Sequence, residues 1–262
     1  MAEVVSRAAT FDDRIRTREA KVGIVGLGYA GLPLAMAFAE AGFEVTGIDV
    51  SEDRVRAVQE RRSYLVDVPA ERYAGLDGRL RATTDYATVA DLDALTICVP
   101  TPLSKTRTPD LSYIVAAAES VAENLRPGQL VVLQSTTYPG TTEEIVAPLL
   151  QEGSGLQPGR DFALGYSPER IDPGNAIWTF TNTPKIISGV DHASLERVRD
   201  FYDDLVTRTV AVPSPREAEL AKLLENTFRH VNIALVNELA MLGPDLGIDI
   251  WEAIEAASTK PF

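Results

Sequence analysis

From residue 21 onward, short apolar runs alternate with longer segments whose apolar positions recur at helical spacing. The runs span 22–25, 44–49, 94–99, 130–134, 162–166, 185–188 and 209–212. Between them, helical periodicity predicts helices near 30–41, 52–61, 111–124, 141–151 and 191–205. A strand that is apolar throughout has no face to give to water. The alternation therefore predicts an α/β fold: a doubly wound, mostly parallel sheet with helices on both faces. Tyr64–Leu80 breaks the rhythm and reads as a surface excursion. Residues 1–20 form a polar arm, with a short helix expected to begin at Asp12 or Asp13.

From Pro213 the pattern changes. Ser214-Pro215 opens a helix expected to run to about Leu242, stopped by Gly243-Pro244. At 1.5 Å per residue it spans on the order of 40 Å. A second helix is expected from about Asp249 to Ala257, and the sequence stops soon after without a closing element, as expected of a truncated chain. Three regions follow: an arm (1–20), a sheet domain (21–212) and a helical region (213–262). On the long helix, Leu220, Leu223, Leu224, Phe228, Val231, Leu235 and Leu242 share one broad face, with Lys222, Asn226 and Arg229 opposite. Ile233, Val236 and Ala240 then bring apolar side chains to the Lys222 side as well. A helix apolar all round is normally buried all round, so this one calls for a partner surface.

Composition narrows the function. The chain has 262 residues, 45% of them hydrophobic, which excludes a disordered protein. It carries 25 Lys plus Arg against 38 Asp plus Glu, a net charge of −13 that repels nucleic acid and anionic membranes. The uncharged stretch Val22–Ala39 lacks the basic leader of a targeting signal and holds four glycines and Pro33. Cys98 is the only cysteine, so no intrachain disulfide forms, and with two histidines a structural zinc site is not expected. The expectation is an acidic cytoplasmic protein with no metal, whose anionic ligands are held by local donors.

Those donors are legible. Val22–Val25 runs into Gly26-Leu27-Gly28-Tyr29-Ala30-Gly31 just where a helix begins, and Asp49 ends the next strand. Strand, GxGxxG, helix and a following acidic residue together form a Rossmann-type dinucleotide site. Gly26 permits the tight turn, Gly28 lets the backbone approach a pyrophosphate, and Gly31 allows close helix–sheet packing. The helix start offers free amides and a positive dipole to the phosphates. Asp49 would accept the adenosine ribose hydroxyls and repel a 2′-phosphate, which favours NAD over NADP; Arg54 stands near enough to reach the same ribose. Further candidates sit at later strand ends: Cys98–Pro102, Gln134–Gly140, and Tyr166–Asn175 with Glu169, which could orient or deprotonate a water. Each also fits ordinary turn chemistry. Cys98 lies in an apolar strand and is expected to be inert. Lys222 and Asn226, four apart on one helix face, could together stabilise an oxyanion or equally form a wet polar face.

These blocks resemble the nucleotide-sugar 6-dehydrogenases, the UDP-glucose/GDP-mannose dehydrogenase family. The resemblance runs from about Phe11 to the last residue, through KVGIVGLGYAGLPLA (21–35), CVPTPL (98–103), STTYPGTTEE (135–144), SPERIDPGN (167–175) and AKLLENTFRHVNIALVNELA (221–240). The form SPERIDPGN is most similar to the branch that oxidises UDP-N-acetyl-hexosamines; UDP-glucose is the other substrate considered. The resemblance implies NAD contacts at Gly26, Gly28, Tyr29, Ala30, Gly31, Asp49, Arg54, Thr101 and Thr136. It implies two oxidations at the sugar C6, from alcohol to carboxylate. In that scheme Thr136 and Glu169 hold or activate the hydrolytic water, Lys222 stabilises the oxyanion and Asn226 supports it. It further implies a homodimer built around the long helix. Between its two oxidations the family uses a cysteine nucleophile, within a glycine-rich motif beyond the central helices, followed by a nucleotide-holding domain. These 262 residues contain neither, and Cys98 matches the family's strand instead, so the chain alone is expected to be inactive. Two rivals remain. A β-hydroxyacid dehydrogenase also joins a Rossmann domain to a helix bearing Lys and Asn, although SPERIDPGN and STTYPG argue against it. A non-catalytic NAD-binding module is the other.

Overall fold

The computed structural model describes residues 10–66, 68–76, 78–105, 108–170 and 177–261. The first nine residues of the arm and residues 171–175 of the SPERIDPGN block lie outside them. The chain forms two compact units, one up to Leu220 and one comprising Ala221–Phe262.

The first unit is built on strands β1 (Lys21–Val25), β2 (Glu44–Ile48), β3 (Leu80–Thr83), β4 (Ala94–Ile97), β5 (Leu130–Leu133), β6 (Ala163–Tyr166), β7 (Lys185–Gly189) and β8 (Thr209–Ala211). Helices α1 (Phe11–Thr17), α2 (Gly31–Glu40), α3 (Glu52–Gln59), α4 (Ser112–Ala122), α5 (Ala147–Ser154) and α6 (His192–Asp203) flank them. The strand order is β3-β2-β1-β4-β5-β6-β7-β8, parallel except for the antiparallel β6–β7 pair. Every residue of β4, β5 and β6 is buried, as continuous apolar runs require when helices cover both faces. Phe201 of α6 stacks on Phe38 of α2 with ring centroids 4.5 Å apart, joining two helices through the aromatic core.

The chain leaves β1 toward β2 on one side and reaches β4 on the other. That reversal opens a crevice beyond the carboxyl ends of β1 and β4, the place where such sheets take ligands.

Two expectations in the first unit need correction, and one strand went unpredicted. Helix α1 is started by Thr10, whose hydroxyl accepts the Asp13 amide while the Asp13 carboxylate accepts the Thr10 amide; Asp13 closes a capping box and does not begin the helix. Tyr64–Leu80 is no mere surface excursion. Val68, Tyr73 and Leu76 are buried in the core, and Arg72 grips Glu40 of α2 through two 2.9 Å hydrogen bonds. Strand β3 has no apolar run because it is an edge strand whose only buried residue is Ala82.

Helix α7 (Pro215–Leu246) begins in the first unit and continues into the second. Gly243-Pro244 does not stop it. So close to the helix end, Pro244 removes only one backbone bond, and the chain turns instead at Gly247, whose φ is +67°. There the Gly247 and Ile248 amides return to the carbonyls of Pro244 and Gly243. Helix α8 (Ile250–Ser258) follows, capped by Asp249.

Candidate functional site: a dinucleotide cleft at the sheet edge

The loop after β1 shows why its three glycines are there. Gly26 has φ +92°, closed to most side chains, and an added Cβ would lie 2.7 Å from the Cys98 carbonyl oxygen. A Cβ on Gly31 would come within 1.7 Å of the Gly26 carbonyl oxygen, so only glycine lets α2 start against the loop. Gly28 differs. Its Cβ would meet only Arg54 Nη1, at 4.0 Å. Nothing in the protein demands glycine there, and the open space above it is what an approaching phosphate needs.

Helix α2 begins at Ala30 without a side-chain cap, whereas Thr10, Ser51 and Asp191 cap α1, α3 and α6. Within the first turn the Leu32 amide donates to the Gly28 carbonyl at 3.1 Å, and Pro33 carries no N–H. What the helix start offers an anion is therefore its positive end and the amides of the loop ahead of it. Above them lies a cleft of about 370 Å³. Its walls are Gly28, Tyr29, Ala30 and Arg54 on one side and Cys98, Val99, Pro100, Thr101, Gln134, Ser135, Thr136 and Glu169 on the other. Seven expected site residues therefore meet in one cavity: Gly28, Tyr29, Ala30, Arg54, Thr101, Thr136 and Glu169. Gly26 and Gly31 form the turn beneath.

Asp49 is buried at the end of β2. Its carboxylate accepts the amides of Leu27 at 2.7 Å and Ser51 at 2.9 Å, and pairs with Arg54 at 3.2 Å. It thus fixes the glycine loop while keeping Arg54 at the cleft wall. Across the cleft, the Thr101 hydroxyl donates to the Thr136 carbonyl at 2.8 Å and the Ser135 hydroxyl to the Val99 carbonyl at 2.8 Å. The loops after β4 and β5 are thereby joined into one wall. Glu169, after β6, accepts from Gln134 Nε2 at 2.5 Å and from the Arg170 amide at 2.8 Å. Cys98 is buried, and burial pushes its thiol well above the ordinary range, which keeps it protonated and unreactive.

Lys222 and Asn226 stand one turn apart on α7 in the second unit, Lys222 half-buried and Asn226 exposed. Among the described residues no group of three or more His, Cys, Asp or Glu could hold a metal ion.

Three supporting residues escaped the sequence reading. The Tyr64 hydroxyl donates to the Leu27 carbonyl at 2.6 Å, bracing the glycine loop from the irregular segment. Glu219, fully buried on α7, accepts the Gly140 amide at 2.6 Å and the Thr142 amide and hydroxyl at 2.9 and 2.7 Å. Lys185, buried at the start of β7, donates to Gln134 Oε1 at 3.2 Å. The only sequence signal for the last two was a charge set among apolar neighbours.

Comparison with known proteins agrees with this geometry. Residues 20–206 match the NAD binding domain of the UDP-glucose/GDP-mannose dehydrogenase family, and residues 216–262 match its central domain. Protein CapL of Staphylococcus aureus is 40% identical over 240 residues, covering 91% of this chain and 56% of that protein. UDP-N-acetyl-D-glucosamine 6-dehydrogenase of Pseudomonas aeruginosa is 37% identical over 244 residues, covering 93% and 57%. The solved structure of the UDP-D-ManNAc dehydrogenase from Pyrococcus horikoshii superposes with a TM-score of 0.87 at 37% identity, covering 92% of this chain and 58% of that one. The chain thus spans a little over half the length of the relatives it matches. With both family domains matched in order, and with the glycine loop, Asp49 and the cleft in place, the chain belongs to the UDP-glucose/GDP-mannose dehydrogenase family.

Proposed function

We propose that this chain is the NAD-binding and central portion of an enzyme that oxidises the C6 alcohol of a nucleotide sugar to a carboxylate, with a UDP-N-acetyl-hexosamine as the favoured substrate class and UDP-glucose as the other. The observation that carries the reading is the cleft, where the open space over Gly28 and the uncapped start of α2 face Thr101, Thr136 and Glu169. NAD, when bound there, supplies the hydride acceptor for each oxidation. Asp49 and Arg54 hold the adenosine ribose, and the carboxylate of Asp49 disfavours a 2′-phosphate. Glu169 and Thr136 hold the water that enters at C6, Glu169 as the base. Lys222 stabilises the oxyanion at C6, with Asn226 in support.

Within these 262 residues the only thiol is Cys98, and burial leaves it without the thiolate that a covalent intermediate would need. The chain by itself therefore stops short of the four-electron oxidation. The favoured partner is a second copy. From Leu224 to Trp251 the second unit exposes Leu224, Phe228, Val231, Ile233, Leu235 and Val236 among other apolar side chains, the kind of surface a helix-mediated dimer buries. No helix among the described residues is long and apolar enough to cross a membrane. The single cysteine and acidic composition favour a cytoplasmic setting.

Calorimetry tests the cofactor assignment: NAD binds, and more tightly than NADP, whereas equal or tighter NADP binding would overturn it. Incubating this chain with NAD and UDP-sugars tests the rest. No uronic acid should form, and sustained release of two NADH per sugar would contradict the role given to Cys98.

A further inference from the structure

Behind Glu169 lies a buried polar chain that the cofactor does not require. Lys185 opens β7 and is 4% exposed; Gln134 directly follows β5 and is 1% exposed. The Lys185 ammonium donates to Gln134 Oε1 at 3.2 Å and reaches the Pro168 carbonyl at 3.5 Å. It lies 4.9 Å from the ring centre of Tyr202 and 5.4 Å from that of Phe180. The Tyr202 hydroxyl also donates to Gln134 Oε1, at 3.4 Å.

Elementary hydrogen-bond chemistry gives this chain a direction. An ammonium has only donors, so the amide oxygen of Gln134 must face it. The amide nitrogen is then turned to Glu169 and donates to Oε2 at 2.5 Å. An amide NH2 cannot accept, so Oε2 must offer a lone pair. The other carboxylate oxygen, Oε1, accepts the Arg170 amide at 2.8 Å. Both oxygens of Glu169 thus face donors, which fixes the orientation of the carboxyl group.

We propose that Lys185 is a positioning residue for Glu169: its buried ammonium fixes the polarity of Gln134, and Gln134 holds Glu169 as an oriented carboxylate at the cleft wall. The proposal deepens the reading of Glu169 as the residue that handles water at C6 and rests on it for its catalytic meaning. A base must point its lone pair at the water it handles, and the chain from Lys185 through Gln134 sets that direction. Among the described residues, several charged and titratable groups face Glu169. They include Cys98 after β4, Lys185 on β7, Tyr202 on α6 and the adjoining Arg170, whose side chain donates to the Pro184 carbonyl at 2.5 Å. Burial keeps the Cys98 thiol and the Tyr202 phenol neutral, whereas Lys185 and Arg170 bring positive charge.

The test is a carboxyl titration by NMR on the 262-residue chain labelled with 13C at the glutamate side chains, with Glu169→Gln identifying the resonance. Lys185→Met should move the Glu169 midpoint upward, and Lys185→Arg, which also offers only donors, should hold it near the wild-type value. If Lys185→Met does not fold, the wild-type protein decides: the side-chain amide signal of Gln134 should shift with the same midpoint as the Glu169 carboxyl. An unchanged Glu169 midpoint in a folded Lys185→Met protein overturns the proposal. So does a Gln134 amide that ignores the titration. Neither readout involves cofactor or sugar, so failure of the dehydrogenase reading would appear separately, as absent NAD binding.

Discussion

In the sheet-forming unit, Val22, Leu95, Val131 and Leu164 have no exposed surface, while in the helical unit Leu224, Phe228 and Trp251 are 67%, 71% and 75% exposed. The side chains are of the same kind, and each gains about 1.5–3 kcal/mol on full burial. One unit thus keeps that gain within itself, and the other leaves it available to an interface. The same contrast holds for charge. Asp49, Lys185 and Glu219 are buried in the first unit and each has specific donors or acceptors, whereas no residue of α8 is buried at all. The difference sets an expectation for apolar substitutions: in the first unit they cost folding stability, while on the exposed faces of the second they cost little of it.

The largest expected effect tests the tightest packing. Gly31→Ala sets a methyl group 1.7 Å from the Gly26 carbonyl oxygen, and α2 or the loop must move. Urea denaturation should show a loss of about 3 kcal/mol or more, together with loss of NAD binding. A variant as stable as wild type would mean that the loop is far softer than its geometry implies. Next comes Glu219→Ala, which strips the Gly140 and Thr142 amides of a buried acceptor. Thermal unfolding should report about 2–3 kcal/mol, with partial recovery in Glu219→Gln.

Val236→Glu applies the comparison to the helical unit. Because Val236 is 42% exposed, folding stability should change by only about 0.5 kcal/mol or less. Sedimentation velocity over a concentration series should nevertheless show dimers giving way to monomers. If the wild type is already a monomer at every concentration and the variant matches it, the helix does not pair with a second copy.

The same division explains what could be read from sequence. The fully buried strands β4 and β5 were legible because two-sided burial leaves an unbroken apolar run. Strand β3 was not, since an edge strand with one buried residue has no such pattern. The cleft was legible through Gly26, Gly28, Gly31 and Asp49, whose spacing is dictated by backbone geometry. Its supports were not. Tyr64, Lys185 and Glu219 act on residues 37, 51 and about 80 positions away, and only the fold brings those partners together. The end of α7 was misread because proline is costly in the body of a helix and cheap near its C-terminus, where few backbone bonds remain to be lost.

An effect confined to cofactor choice is expected at Asp49. Asp49→Asn removes the charge facing the ribose but keeps a group that can accept the Leu27 amide. Calorimetry should show the preference for NAD over NADP narrowing by about tenfold, or roughly 1.4 kcal/mol. An unaltered preference would place the discrimination elsewhere in the cleft.

The most direct test of the account is an amide NMR footprint of NAD on the first unit, measured for wild type and for Gly28→Ala. The account predicts shifts concentrated at Gly28, Tyr29, Ala30, Thr101 and Thr136. In Gly28→Ala it predicts stability unchanged within about 0.5 kcal/mol but affinity at least about tenfold weaker, because the new methyl occupies only the space reserved for phosphate. Shifts centred away from this cleft, or undiminished affinity in Gly28→Ala, would contradict it.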